Sequence, residues 1–84
     1  MSILHLVRDP DDQRAFATIE AQAASSDVTV IYMQDAVFRA PIEGVRTFAC
    51  ADDWQARQPA STCEQVSYDQ IVELIVQHER VISW

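Results

Sequence analysis

Apolar positions along the chain come in short runs whose period alternates between strand-like and helix-like. Residues 3–7, "ILHLV", form a strand-length run with a single His. In the polar "RDPDDQ" that follows, Asp9 is placed to cap a helix, Pro10 suits its first position, and Asp11 and Asp12 favour its positive end. Phe16, Ile19 and Ala23 recur at helical spacing with Ala15 beside them, and "SSD" at 25–27 ends the helix. Residues 28–33, "VTVIYM", are a nearly continuous β-branched run, the pattern of a strand buried on both faces.

The middle of the chain holds shorter elements. "QDAVFRAP" predicts a helical turn ending before Pro41, with Asp35 as its cap. Val45 to Cys50 predicts a third strand, "ADDWQARQ" a short helix, and "STCEQV" a short fourth strand. Ser67 opens the last helix, and Gln70 three residues on completes a capping box. Tyr68, Ile71, Val72 and Ile75 form its expected core stripe, while Leu74 and Val76 widen the apolar arc beyond one face. An arc that wide packs on two surfaces at once. The closing "VISW" fits a helical turn or an extended tail equally.

Four strands alternating with helices predict one α/β domain over residues 1–84, a mostly parallel four-stranded sheet flanked by helices. Composition agrees with this. Gly44 is the one glycine, too few for a hairpin-rich all-β fold. It also rules out Gly-rich dinucleotide loops and P-loops. Apolar residues make up 49 %, enough for a core without disulfides. The net charge is −7 and all six basic residues are Arg, a field that repels phosphate backbones. Direct nucleic-acid binding is therefore not expected, and partners with basic patches are. No apolar run is long enough to span a membrane, and "MSILHLVRDP" lacks the features of a signal peptide. The expected location is the cytoplasm, with Cys50 and Cys63 as reduced thiols.

The candidate chemistry is sparse. Cys50 and Cys63 are separated by twelve intervening residues, with His5 and His78 distant in sequence, a poor spacing for zinc; no metal or cofactor is expected. Cys50 ends the third strand just before a helix start, where sites form in open α/β sheets. A helix N-terminus favours a thiolate there, but Asp52 and Asp53 oppose it. As a buried small apolar residue Cys50 needs no chemistry, and the same holds for Cys63. His5 faces away from Leu4 and Leu6 along the strand and reads as a core or interface hydrogen-bonding group. His78 lies where the last helix's dipole favours a cation. Gln34-Asp35, at the carboxyl end of the second strand, is a site candidate as well as a cap.

Three segments, in order, resemble the TusB/DsrH family. "SILHLVRDP" is similar to the family's opening strand with its Leu-His pair. "VTVIYMQDAVF" resembles its second strand, which runs into Gln-Asp-Gly-Val-Tyr. "VSYDQIVELIVQHERVISW" resembles its ending, with a Tyr after Asp or Ser, Val-Glu-Leu, a His and a closing Ser-Trp. The resemblance implies a small flavodoxin-like, DsrEFH-like fold. It also implies a place as the small subunit of a sulfur-relay complex with TusC/DsrF-like and TusD/DsrE-like sister subunits. There are departures. The first helix, "QRAFATIEAQAA", lacks the Cys that some members carry, Ala36 replaces a Gly, and residues 40–62 are shorter than in typical members.

The expected function is thus that of a non-catalytic structural subunit supporting persulfide transfer for wobble-uridine 2-thiolation in tRNA. The alternatives are a DsrH-like subunit of a sulfur-oxidation complex, a persulfide carrier using Cys50, and a stand-alone homo-oligomer of the same fold. His5, Gln34, Asp35, Tyr68, Leu74 and Trp84 are the interface candidates, since a chain this small exposes much apolar surface.

Overall fold

A computed structural model describes residues 1–84. The elements are β1 (Ser2–Val7), α1 (Gln13–Ala23), β2 (Asp27–Tyr32), a 3-10 turn (Gln34–Phe38), β3 (Arg46–Cys50), α2 (Ala51–Arg57), β4 (Glu64–Val66), α3 (Tyr68–Gln77) and β5 (Arg80–Ser83). The sheet is parallel throughout, in the order β4-β3-β2-β1-β5. The α/β class follows the sequence pattern, but the sheet has five strands rather than four. "VISW" supplies the fifth: Val81 and Ile82 are β-branched, and β5 pairs along β1 with Leu4 opposite Val81. Both its ends are pinned. Glu79 and Ser2 exchange backbone-to-side-chain hydrogen bonds of 3.0 Å, and the Trp84 N–H donates to the Leu6 carbonyl at 2.9 Å.

The helices are divided unequally between the two faces. On the first face, α1, the 3-10 turn and Trp54 of α2 cover His5, Val7, Val30, Tyr32 and Ala49. On the second, α3 alone covers Leu4, Ile31, Cys50 and Val66, through Ile71 and Leu74. This helix starts from β4 at one sheet edge and delivers the chain to β5 at the other. Ten helical residues span about 15 Å, whereas four strand spacings span about 19 Å. A single helix therefore crosses the second face without covering it.

The caps follow local chemistry, with two corrections. Helix α1 is capped by Asp12, which accepts the Ala15 N–H at 3.0 Å. Asp9, the expected cap, instead accepts the Asp11 N–H at 2.8 Å and shapes the loop before the helix. The 3-10 turn is preceded by extended Met33, and Asp35 lies inside the turn rather than capping it. Ser67 and Gln70 form the expected capping box on α3. The expected core stripe of α3 is displaced. Ile71 is buried and Leu74 half-buried, but Tyr68, Val72 and Ile75 are exposed. The reason is the diagonal crossing, which turns the Ile71–Leu74–His78 side of the helix to the sheet. No helix is long and apolar enough to cross a membrane.

Candidate functional site

Both cysteines are buried, Cys50 completely. Cys50 ends β3 and is the residue from which α2 starts, as its sequence position indicates. Its side chain is 0 % exposed and packs with Leu4, Ile31, Val66 and Ile71. The Tyr68 hydroxyl lies beside it. That thiol, with the carboxylates of Asp53 and Asp52, pushes the Tyr68 phenol above its ordinary pKa. Cys63 precedes β4 and is buried on the opposite face, its thiol directed at the Thr47 carbonyl at 3.6 Å. Burial, and then the Glu64 charge, raises the Cys63 pKa, so the thiol form is favoured. Lying on opposite sides of the sheet, the two cysteines share no site. No cluster of three or more His, Cys, Asp or Glu side chains suited to a metal ion occurs.

His5 is a core residue. Its Nε2 lies 2.6 Å from Gln22 Oε1, and its Nδ1 accepts the Trp84 indole N–H at 2.9 Å. The two rings are nearly parallel, 14° apart with centroids at 6.1 Å. Since Nδ1 accepts, the proton sits on Nε2 and points to Gln22. Burial lowers the His5 pKa, and the Gln22 hydrogen bond opposes this more weakly. Trp84 thus finds its surface within its own chain, half-buried against the first-face core.

Gln34 and Asp35 stand at the carboxyl edge of the sheet. Gln34 takes a left-handed backbone conformation, φ 52°, and its N–H donates to Asp53 Oδ2 at 2.8 Å. Asp35 pairs with Arg57 Nε at 2.9 Å, and Arg57 also reaches Asp53 at 3.6 Å. These contacts tie the 3-10 turn to α2. Beside them a crevice of about 430 Å³ is lined by Arg8, Asp9, Pro10, Gln34, Asp35 and Trp84. It lies where the chain order reverses around β1, the place where open α/β sheets bind ligands. Its one lining guanidinium is committed to the fold, since Arg8 Nε donates to the Trp84 carbonyl at 2.7 Å.

One constellation is invisible in the sequence. The His78 Nδ1–H donates to the Leu74 carbonyl at 2.6 Å, and its Nε2 lies 2.9 Å from Thr29 Oγ1, which also accepts from Arg46 at 2.9 Å. A hydroxyl bonded to an oriented imidazole has the form of an activated nucleophile. Thr29 is fully buried, however, and none of the four surface cavities is lined by Thr29 or His78. The arrangement fastens the end of α3 to the sheet. Only the folded chain brings residues 29 and 78 together, so no spacing rule could have found them.

The most extensive feature is apolar. Of seven exposed large apolar side chains, five belong to the second face: Tyr68, Val72, Ile75 and Val76 on α3, and Val81 on β5. Half-buried Leu6 and Met33 continue this surface over the carboxyl ends of β1 and β2. Parallel sheets are ordinarily covered on both faces, and here that cover is partial. Leu74, an interface candidate, lies on the inner side of α3 against the core. In comparisons with known proteins, no family model and no curated protein matches the chain.

Proposed function

We propose that this chain is a non-catalytic structural subunit of a cytoplasmic sulfur-relay complex, supporting persulfide transfer toward 2-thiolation of the tRNA wobble uridine. The observation that carries the reading, beside the family resemblance, is the state of the thiols. A carrier must present a thiolate to the donor's persulfide, so that the thiolate attacks the outer sulfur and displaces the donor thiolate. Cys50 is 0 % exposed and Cys63 is buried, with its pKa raised. The sulfur is therefore carried by the TusD/DsrE-like sister subunit, and this chain completes the assembly with it and the TusC/DsrF-like subunit. Its −7 charge argues against holding the tRNA itself.

The test is a reconstituted relay containing Cys50→Ala with Cys63→Ala. Thiolation should stay nearly unchanged, and loss of thiolation by a normally assembled complex would refute the reading. Treating the wild-type chain with cysteine desulfurase and cysteine checks the Cys50 carrier alternative. A mass gain of one sulfur atom on Cys50 would favour that alternative, whereas labelling confined to the partners supports the structural role.

A further inference from the structure

We infer that the second sheet face, centred on the outer side of α3, is the docking surface for a different polypeptide whose apolar patch is rimmed by Arg or Lys, rather than for a second copy of this chain. The inference rests on the relay reading only for the identity of that partner. Two observations point to it: an incompletely covered parallel sheet, and the sign of the charge around the gap.

The gap has the shape of an interface. Tyr68, Val72 and Val76 recur every four residues along α3, with Ile75 beside them, so one arc of the helix presents four apolar side chains to solvent. Val81, Leu6 and Met33 extend the arc onto the sheet. A helix ridge with anchors at this spacing fits an apolar groove. Tyr68 at one end is the kind of aromatic residue that anchors interfaces.

The charge selects the occupant. Helix α3 carries Asp69 and Glu73 and no basic residue. Asp52 and Asp53 act on Tyr68 at one end, and Glu64 joins Glu73 along the groove on the other flank of α3. Four of the six arginines are committed to contacts within the fold, leaving Arg14 on α1 and Arg80 at the start of β5 without one. Arg8 is bonded to the Trp84 carbonyl, Arg39 lies over the Phe16 ring, Arg46 is bonded to Thr29, and Arg57 to Asp35. A second copy docked face to face would bring another acidic rim against this one, whereas a basic rim gains on association. Such an interface weakens with salt, because its rim pairs are screened.

Three measurements decide it. First, sedimentation of the chain alone in low and high salt should give a monomer. A tight dimer abolished by Val72→Glu would overturn the inference in favour of self-association. Second, the chain is co-expressed with TusC/DsrF-like and TusD/DsrE-like subunits. The wild-type complex should form and should weaken about tenfold or more between low and high salt. Val72→Glu and, separately, Glu73→Lys should remove this chain from the complex. Both positions are exposed, so circular dichroism melting should confirm that the variants stay folded. A complex that survives both substitutions would refute the docking face while leaving the relay reading intact. Third, if no complex forms, the relay reading fails and the face is tested alone, by NMR titration with an amphipathic Leu/Lys helical peptide and its Leu/Glu counterpart. Amide shifts centred on Tyr68–Gln77 with the Lys peptide only would uphold the inference. No shifts, or equal shifts with both peptides, would overturn it.

Discussion

The His5–Trp84 contact makes the fold's acid stability predictable. The perturbation is Trp84→Phe, which keeps an aromatic ring beside His5 but removes the indole N–H. In the wild-type chain that N–H is donated to His5 Nδ1 at 2.9 Å while Nε2 faces Gln22. Without it, Nδ1 becomes a buried acceptor with no partner, at a cost of about 1–3 kcal/mol. For a domain of this size that is a large part of the total stability, so the urea midpoint should fall clearly at pH 8. The pH dependence carries the sharper test. Folding lowers the His5 pKa below its ordinary 6.5, so the unfolded chain binds the proton more readily. The stabilisation from neutral His5 is complete above about pH 6.5 and is lost as pH falls toward the folded value, with a slope of at most about 1.4 kcal/mol per pH unit for one proton. A proton on Nδ1 would face the indole N–H, so wild-type His5 resists protonation twice, through burial and through a donor facing a donor. Trp84→Phe removes the second obstacle. The variant should therefore be less stable at pH 8 but lose less of its remaining stability between pH 7 and pH 5. The assay is urea unfolding followed by circular dichroism at each pH. Equal wild-type and variant stability at pH 8, or a steeper acid loss in the variant, would refute the tautomer and the contact together.

Three further outcomes follow from other contacts. Ser67→Ala breaks the capping box of α3 and should cost about 1 kcal/mol, measured by the same denaturation. Tyr68→Ala removes the ring whose hydroxyl lies beside Cys50 and should speed Cys50 labelling by a thiol reagent while leaving Cys63 slow; equal rates at Cys50 in both proteins would count against that contact. Burial pushes the Tyr32 pKa up to about 12, so this fully buried phenol stabilises the fold below pH 10 and that contribution is lost as pH rises through about 12. Tyr32→Phe should flatten the alkaline limb of the stability curve while losing the hydrogen bond to the Ala40 carbonyl.

The sequence was most readable where local chemistry decides structure. The β-branched run of β2, the Phe16–Ile19 face of α1 and the Ser67–Gln70 box each act over a few residues, and each matches the fold. The fifth strand was not readable, because "VISW" becomes a strand only where β1 offers an unpaired edge. The α1 cap shifted by three residues because Asp9 and Asp12 are chemically equivalent, and the loop geometry chooses between them. The inner face of α3 differs from the expected stripe for a similar reason. Six apolar residues in one helix offer more than one possible stripe, and the crossing path over the sheet selects Ile71 and Leu74. Of the site candidates, His5 proved a buried hydrogen-bonding residue, one of the roles its place in the strand allows. The Thr29–His78 pair needed contacts across 49 residues, which no local pattern encodes.

The same crossing links the fold to the proposed assembly. Placing β5 beside β1 obliges α3 to traverse the whole sheet, and traversing it leaves the carboxyl ends of β1 and β2 short of cover. The apolar arc of α3 is also wider than the Ile71–Leu74 side that meets the sheet, and what remains faces outward next to Asp69 and Glu73. A stand-alone chain would gain stability from polar residues at Val72 and Val76, since both are exposed and β-branched residues are weak helix formers. Replacing both with Gln should therefore raise the melting temperature of the isolated chain while weakening its retention in a complex. A variant that melts lower, or that binds its partners as well as wild type, would show that these valines serve the fold rather than an interface.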